Sequence, residues 1–366
     1  MSSRQEVHPL KVAGVVGFYM SAALIMVFVN KAVLNKSPDF PLSFLMNQLL
    51  IAVALLHGAA IASNKITIPK MDLEVAKKLF PVVAVNIIGL VFNTLCLRDV
   101  EASFFQIARG LQLPLTILVS ALHAGRAPSA LVILSATAVT FGFLLGVSPS
   151  LTADPSAAPP IPALHSTPSI LSLFYGLLSS LFIALHAVLI KYSLPHCNNS
   201  TIELAWWTNA GSAIMLLPFV LLGGEASHMM ELGLGWFSGE GRVFVWGSMI
   251  TGVFGFLLCV AGLLSIKVTS PVTHMFSSAA RSVLQTLLGV WLFNDLLTVN
   301  RAMSILVILL GTMYYTYVKS RESGPPPAST RPQSPGMQKA RPDDLELGVK
   351  KETLFAVPEE EERSKN

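Results

Sequence analysis

Arg281 lies inside an apolar run that opens at Pro271 and continues to Phe293. At helical spacing His274, Ser278, Arg281 and Gln285 share one face, because steps of four, three and four return to the same stripe. Small residues beside them let another helix or a ligand approach the backbone closely. A second arginine, Arg109, sits about two turns inside another apolar run, roughly 12 Å by helix rise. That is a long reach for a side chain snorkelling to the headgroups. An intramembrane cation is costly and normally faces a wet cavity or a partner. No Asp or Glu lies in the middle of any apolar run to neutralise either arginine. Two unpaired interior cations ask for an anion. Phosphate suits them, since the guanidinium fork binds it bidentately. The competing explanations are snorkelling and a structural ion pair.

Other side chains carry weaker signals. Lys31 follows Asn30 near the end of the first apolar run, where snorkelling and ligand binding explain it equally. His274 suits a phosphate or ribose, and also suits helix-end packing. Trp206-Trp207-Thr208-Asn209 opens a later run. Tryptophans there commonly join the interfacial aromatic belt. An amide one turn deeper, Asn209, either bonds another helix or reads a polar ligand. Trp207 with Asn209 would also make a nucleobase pocket. Asn93 and Gln106 are candidates of the same kind.

The elements that must position these groups follow from composition. Of 366 residues, 52% are apolar and only 13% charged, too few charges for the surface of a soluble protein this size. At ~20 apolar residues per span, ten candidate spans emerge: 13–34, 41–62, 80–97, 102–124, 129–147, 170–190, 204–222, 243–266, 271–293 and 302–318. The chain is expected to be an all-α membrane protein in a lipid bilayer. Its first run reads as a signal anchor rather than a cleaved leader. Lys65, Lys70, Lys77, Lys78, Arg126, Lys191 and Lys267 share one side, which places both termini in the cytosol. Asn198-Asn199-Ser200-Thr201 holds two overlapping glycosylation sequons, which this orientation leaves unused. The divisions are a cytosolic N-terminus (1–12), five spans (13–147), a lumenal Pro/Ala-rich loop (148–168), five more spans (169–319) and a disordered cytosolic tail (320–366).

Ala108-Arg109 in the fourth span matches Ala280-Arg281 in the ninth, each the fourth of its own five. In that register Gln106 answers Ser278, and Leu113 answers Gln285. An odd number of spans per half inverts the second half. Two inverted five-helix repeats with a central site at their interface are a common transporter plan. Small-residue faces are compatible with a homodimer.

Several functions are excluded. There is no Walker loop, nucleophile elbow or HExxH, so no enzyme and no cofactor is expected. The three cysteines lack metal-ligand spacing. No basic patch with interleaved aromatics points to nucleic acid. Spans without acids argue against a carboxylate relay.

Three stretches resemble GDP-fucose transporters: Val27-Phe28-Val29-Asn30-Lys31; Phe92-Asn93-Thr94-Leu95-Cys96-Leu97 with 103–109; and Ser270-Pro271-Val272-Thr273-His274 with 277–285. The resemblance is to the nucleotide-sugar and triose-phosphate branch of the drug/metabolite transporter superfamily. It implies a ten-helix antiporter of the Golgi or endoplasmic reticulum that imports a nucleotide sugar and returns the nucleoside monophosphate. Related GDP-sugar carriers have Phe-Tyr-Asn-Asn in the seventh span, linked to guanine; here Trp206-Trp207-Thr208-Asn209 keeps only the last Asn. GDP-mannose carriers have Gly-Ala-Leu-Asn-Lys in the ninth; here Ser278-Ala279-Ala280-Arg281-Ser282 is closer to the fucose type. On this expectation Arg281 and Arg109 hold the diphosphate with Lys31 assisting. Asn209 and Trp207 face the base, and Ser277, Ser278 and His274 line the ribose and phosphate region. The alternatives are another nucleotide sugar or organic phosphate on the same fold, and a membrane scaffold acting through its acidic tail.

Overall fold

The computed structural model describes residues 9–63, 67–152, 169–225, 239–268, 271–295 and 297–322. Within these, the side chains of 9–13, 15, 149–152, 191, 240 and 259–279 fall outside the description. Most of the loop expected at 148–168, and the tail beyond Glu322, also lie outside the described residues.

What is described is helix and short connection, with no strand. In hydrocarbon a chain must satisfy its own backbone, and a helix does so within one segment. The helices are α1 (Pro9–Lys36), α2 (Pro41–Ala62), α3 (Leu73–Asp99), α4 (Phe105–Ala108), α5 (Gln112–Ala124), α6 (Ala130–Thr152), α7 (Ile170–Ser193), α8 (Thr201–Leu222), α9 (Gly239–Val268), α10 (Pro271–Phe293) and α11 (Val299–Glu322). Among the described residues nine segments are long and apolar enough to cross a membrane, α4 and α5 together making one. The tenth helix, α10, has a described apolar stretch from Ala280 to Phe293.

Local chemistry sets several ends. Asp72 caps α3 by accepting from the Glu74 amide at 2.9 Å. This extends α3 seven residues before the expected start at 80, through Lys77 and Lys78. Ser169 caps α7 by accepting from the Ser172 amide. Ser200 and Glu203 form the start of α8, with Ser200 Oγ accepting from the Glu203 amide at 3.2 Å. Gly125 ends α5 in the left-handed region at φ 63°, which glycine adopts without a Cβ clash.

The fourth span differs from the continuous helix expected over 102–124. It breaks at Arg109-Gly110-Leu111, between α4 and α5. Arg109 has φ −92° and ψ 4°, the bridge region of a turn. Gly110 N donates to Ile107 O at 2.8 Å, and Gln112 N to Arg109 O at 3.1 Å. Irregular backbone at membrane depth is tolerated only where protein or a cavity covers it. Here Gly176 of α7 supplies the cover, since a Cβ there would lie 2.8 Å from the Ala108 carbonyl oxygen.

Counting α4 with α5 as one span gives ten in order. The packings include α1 on α9, α3 on α7, α2 on α9, α3 on α8, α5 on α7, α1 on α10, α5 on α6, α10 on α11, α6 on α11 and α2 on α8. Exchanging each helix of this count with the one five further along maps these ten onto themselves, whereas α2 on α3 and α1 on α3 have no counterpart of similar extent among the described residues. α1–α9 becomes α7–α3, α2–α9 becomes α8–α3, and α6–α11 and α2–α8 map to themselves. Small residues set the closest crossings. A Cβ on Gly142 of α6 would meet the Ile308 backbone nitrogen at 3.0 Å, and one on Gly146 would meet Ile107 Cγ2 at 2.7 Å and Ser304 Cβ at 2.9 Å. Ser304 Oγ also donates to the Gly142 carbonyl at 2.6 Å.

Candidate functional site

One end of the bundle is reached by the last turns of α1, α3 and α10. An apolar cluster fills it, including Val33, Leu34, Phe44, Cys96, Leu97, Phe104 and Phe244. Polar ties lie around that cluster and cross from the first five spans to the last five. Glu101 pairs with Arg301, whose guanidinium also stacks over the Phe104 ring at 5.1 Å. Asp295 Oδ2 accepts from the Ser103 amide at 2.7 Å. Gly289 leaves room for this bond, because a Cβ would lie 2.7 Å from that oxygen. Glu225 accepts from the Leu42 and Ser43 amides at the start of α2, a carboxylate at a helix N-terminus.

Deeper in the bundle lie the two arginines. The break in the fourth span turns Arg109 out of a regular helix. Its Nη2 donates to Gln112 Oε1 at 3.1 Å, and its guanidinium sits over the Phe105 ring at 5.4 Å. Arg281 of α10 lies close enough that the two charges repel. The Nε atoms of both are buried and, among the described residues, lack a hydrogen-bond partner. An unsatisfied buried donor on a cation is a costly arrangement. Gln106 Nε2 donates to Gln285 Oε1, and Gln285 Nε2 donates to the Ala102 carbonyl at 3.1 Å. These bonds hold α4 against α10 and keep the two arginines together. Gln106 thus pairs with Gln285 itself, beyond the register match to Ser278.

Lys31 is buried and its ammonium is engaged. Nζ donates to the Leu97 carbonyl at 3.0 Å and the Arg98 carbonyl at 2.9 Å. These are among the carbonyls left over at the end of α3, where a cation also favours the helix dipole. Asn93 Oδ1 accepts from Ser179 Oγ at 3.4 Å, between α3 and α7. Trp207 is buried in an apolar cluster with Leu79, Val82, Val83, Cys197 and Leu204. Asn209 Nδ2 donates to the Ala205 carbonyl of its own helix at 2.7 Å. The structure therefore brings together Arg109, Arg281, Gln106 and Gln285. Lys31 lies at the end filled by the apolar cluster, and Trp207 and Asn93 are in helix contacts. The side chains of His274, Ser277 and Ser278 lie outside the described residues.

Two features escaped the sequence reading. One is a polar junction of three helices, where Gln48 Nε2 donates to both Asn30 Oδ1 and Thr251 Oγ1 at 2.9 Å. The other is His186 of α7, whose buried Nε2 has no hydrogen-bond partner among the described residues. Its signal was present. Lys31-Ala32-Val33-Leu34-Asn35-Lys36 and His186-Ala187-Val188-Leu189-Ile190-Lys191 share Ala, Val, Leu and Lys in register. Elsewhere, an apolar groove of about 480 Å³ between α5 and α6 is lined by Ile117, Phe141 and Leu144 among others. The hydroxyls of its Thr137 and Thr140 bond their own helix, so it offers no donor to an anion.

No family model matches the chain. Individual relatives do. The chain is similar to GDP-fucose transporter 1 of Mus musculus, 29% identical over 323 residues, 86% of this chain and 84% of that one. It is similar to the Golgi GDP-fucose transporter of Drosophila melanogaster, 26% identical over 324 residues, 86% and 91% of the two chains. It is also 30% identical over 302 residues to an uncharacterised transporter of Schizosaccharomyces pombe, 82% and 73% of the two chains. These relatives, named as transporters and not as enzymes, and a 24% identical glucose-6-phosphate/phosphate translocator of Arabidopsis thaliana are matched over most of each chain: the chain belongs to the nucleotide-sugar/triose-phosphate transporter family, among members resembling GDP-fucose transporters.

Proposed function

We propose that this protein is a nucleotide-sugar antiporter of the Golgi membrane that imports GDP-fucose and returns GMP by alternating access. One observation carries the reading. Two guanidiniums, one from the fourth span and one from the ninth, lie near each other with Nε atoms that are buried and, among the described residues, unpartnered. A diphosphate would supply the missing acceptors and the opposing charge. The relatives' printed names support GDP-fucose as cargo and the Golgi as location.

The mechanism follows from the frame. The packings that exchange when spans are shifted by five support two inverted five-helix halves, 13–147 and 169–319. One half would rock against the other around the arginines, with the cytosolic termini fixed by the lysine distribution. The ties around the apolar cluster would have to part in each cycle. Strict exchange also has a physical reason. An empty carrier must occlude two buried cations without a counter-ion, which is costly. Bound nucleotide, diphosphate sugar or monophosphate, lowers that barrier.

A second reading is favoured by a specific observation. Trp207 is packed in apolar core, and the Asn209 amide donates to its own helix. A carrier of another nucleotide sugar, or of a small organic phosphate, would need neither to face a guanine. Counterflow in proteoliposomes preloaded with GMP separates the two. Uptake of labelled GDP-fucose, but not of UDP-galactose or triose phosphate, supports the first reading. Uptake only with UMP, CMP or phosphate inside supports the second.

A further inference from the structure

Lys31 and His186 occupy matching places in the two halves of the chain. The six-residue stretches that begin with them share four residues in register. They lie on α1 and α7, which exchange when spans are shifted by five. In this structure their situations differ. The Lys31 ammonium holds the last carbonyls of α3, while His186 Nε2 is buried with no partner among the described residues. The packing differs in the same sense. α1 packs on α3, whereas among the described residues its counterpart, α7 on α9, is not made to a similar extent.

We propose that His186 is the opposite-end counterpart of Lys31, a positioning residue that donates to the last carbonyls of α9 when the bundle closes at its other end. This rests on the alternating-access reading above and assigns the two clamps it requires. The chemistry fits both partners. A helix end leaves its last carbonyls without intrahelical donors. An ammonium offers three donors and a full charge to them. A neutral imidazole offers one N–H, a weaker hold. The unequal pair would bias the empty protein toward the state in which Lys31 holds the end of α3, as it does here. In the alternative state Lys31 would release α3, and His186 would gain the acceptor it lacks. The donor–acceptor bond at one end is thus exchanged for an equivalent bond at the other.

Cys96 is a built-in reporter. It is fully buried in the apolar cluster at the Lys31 end, next to Leu97. The full chain in nanodiscs, without ligand, would be treated with a maleimide. Labelling at Cys96 would be resolved from Cys197 and Cys259 by peptide mass spectrometry. Lys31→Gln should raise the Cys96 rate by about threefold or more, by shifting the population toward the state open at that end. His186→Leu should lower it by about twofold or more, and His186→Lys should raise it, since both ends then carry equal clamps. Opposite signs for the two His186 variants are the signature that a packing role would not produce. If His186→Leu fails to fold, His186→Lys against the unmodified chain decides alone. Silent His186 variants, changes of the same sign, or effects that appear only with GMP overturn the proposal. The last outcome would make His186 a ligand contact. Because no substrate is needed, a failure of the GDP-fucose assignment leaves this result standing. A Cys96 rate indifferent to Lys31→Gln as well would instead remove the alternating-access reading.

Discussion

Arg281→Gln tests whether the central arginines serve a ligand or the fold, because the two roles predict opposite signs. A structural arginine stabilises the empty protein, and its loss should cost about 1–3 kcal/mol or more. The geometry here points the other way. Arg281 Nε is buried without a partner among the described residues, and Arg109 repels it. An unsatisfied buried donor costs about 1–3 kcal/mol. Removing the charge should therefore leave the empty carrier's melting point unchanged or raise it by about 2–4 °C. The loaded carrier should suffer. Losing charge-assisted bonds worth about 1.5–3 kcal/mol raises the apparent KM roughly 10- to 150-fold. Arg281→Lys keeps the charge but loses the fork, so it should fall between Gln and Arg. Arg109→Lys should behave alike, and the double variant should lose less than the sum if both arginines grip one diphosphate. The assays are thermal melting by fluorescence size-exclusion chromatography, with and without GMP, and GMP counterflow. An empty Arg281→Gln protein that melts several degrees lower, with its apparent KM unchanged, would refute the reasoning.

Other outcomes follow from separate parts of the molecule. Gly146→Ala should cost about 1–3 kcal/mol by overpacking, since its Cβ would meet Ile107 and Ser304 at the α6–α11 crossing; Ser304→Gly should recover part of this in the same melting assay. Burial, then the charge of Glu203, pushes the Cys197 thiol up to about 11 from its usual 9.0. Its stabilising contribution should be complete below pH ~9 and fade toward ~11 as the thiolate forms, and its iodoacetamide labelling should stay slow up to pH ~9. Asn198 Nδ2 already donates to Glu203, and the proposed cytosolic orientation would leave both sequons unmodified; a glycosidase-sensitive shift in mobility that the double variant Asn198→Gln, Asn199→Gln abolishes would reverse the topology. Removing residues 324–366 should leave counterflow intact, and a chain that fails to transport without its tail would favour a scaffold.

The spans were legible because hydrocarbon demands long apolar runs, and little else in the chain satisfies that demand. Arg109 and Arg281 were legible for the converse reason, as charges where none is tolerated without cause. What escaped depends on neighbours. The break at Arg109-Gly110-Leu111 has a local cause in Pro114, which cannot donate to the Gly110 carbonyl and crowds it; only the second half of its explanation, the room that Gly176 on another helix leaves for the turned backbone, depends on a neighbour. The early start of α3 was hidden by Lys77 and Lys78, which read as loop until the Asp72 cap is seen. Lys31 could be placed near a helix end, but its acceptors, Leu97 and Arg98, lie 66 and 67 residues away. Trp206-Trp207 carried the signal of an interface belt, and only packing against Leu79 and Val82 shows Trp207 inside a cluster. His186 carries no intramembrane charge of its own to mark it, and is legible only through the match of its stretch to that of Lys31.

The interrupted fourth span has a mechanical consequence. A continuous helix would act as one stiff lever, so motion at one end would be imposed on the other. A joint at Arg109 separates the two lengths. Both lengths pack on α6 and α7, but α4 is also tied to Gln285 of α10 and packs on α11. On the alternating-access reading, the side chain best placed to grip an anion would then also sit at the joint between the two lengths. Occupancy and gate angle would then be read at a single residue, and no relay across the bundle is needed to join them.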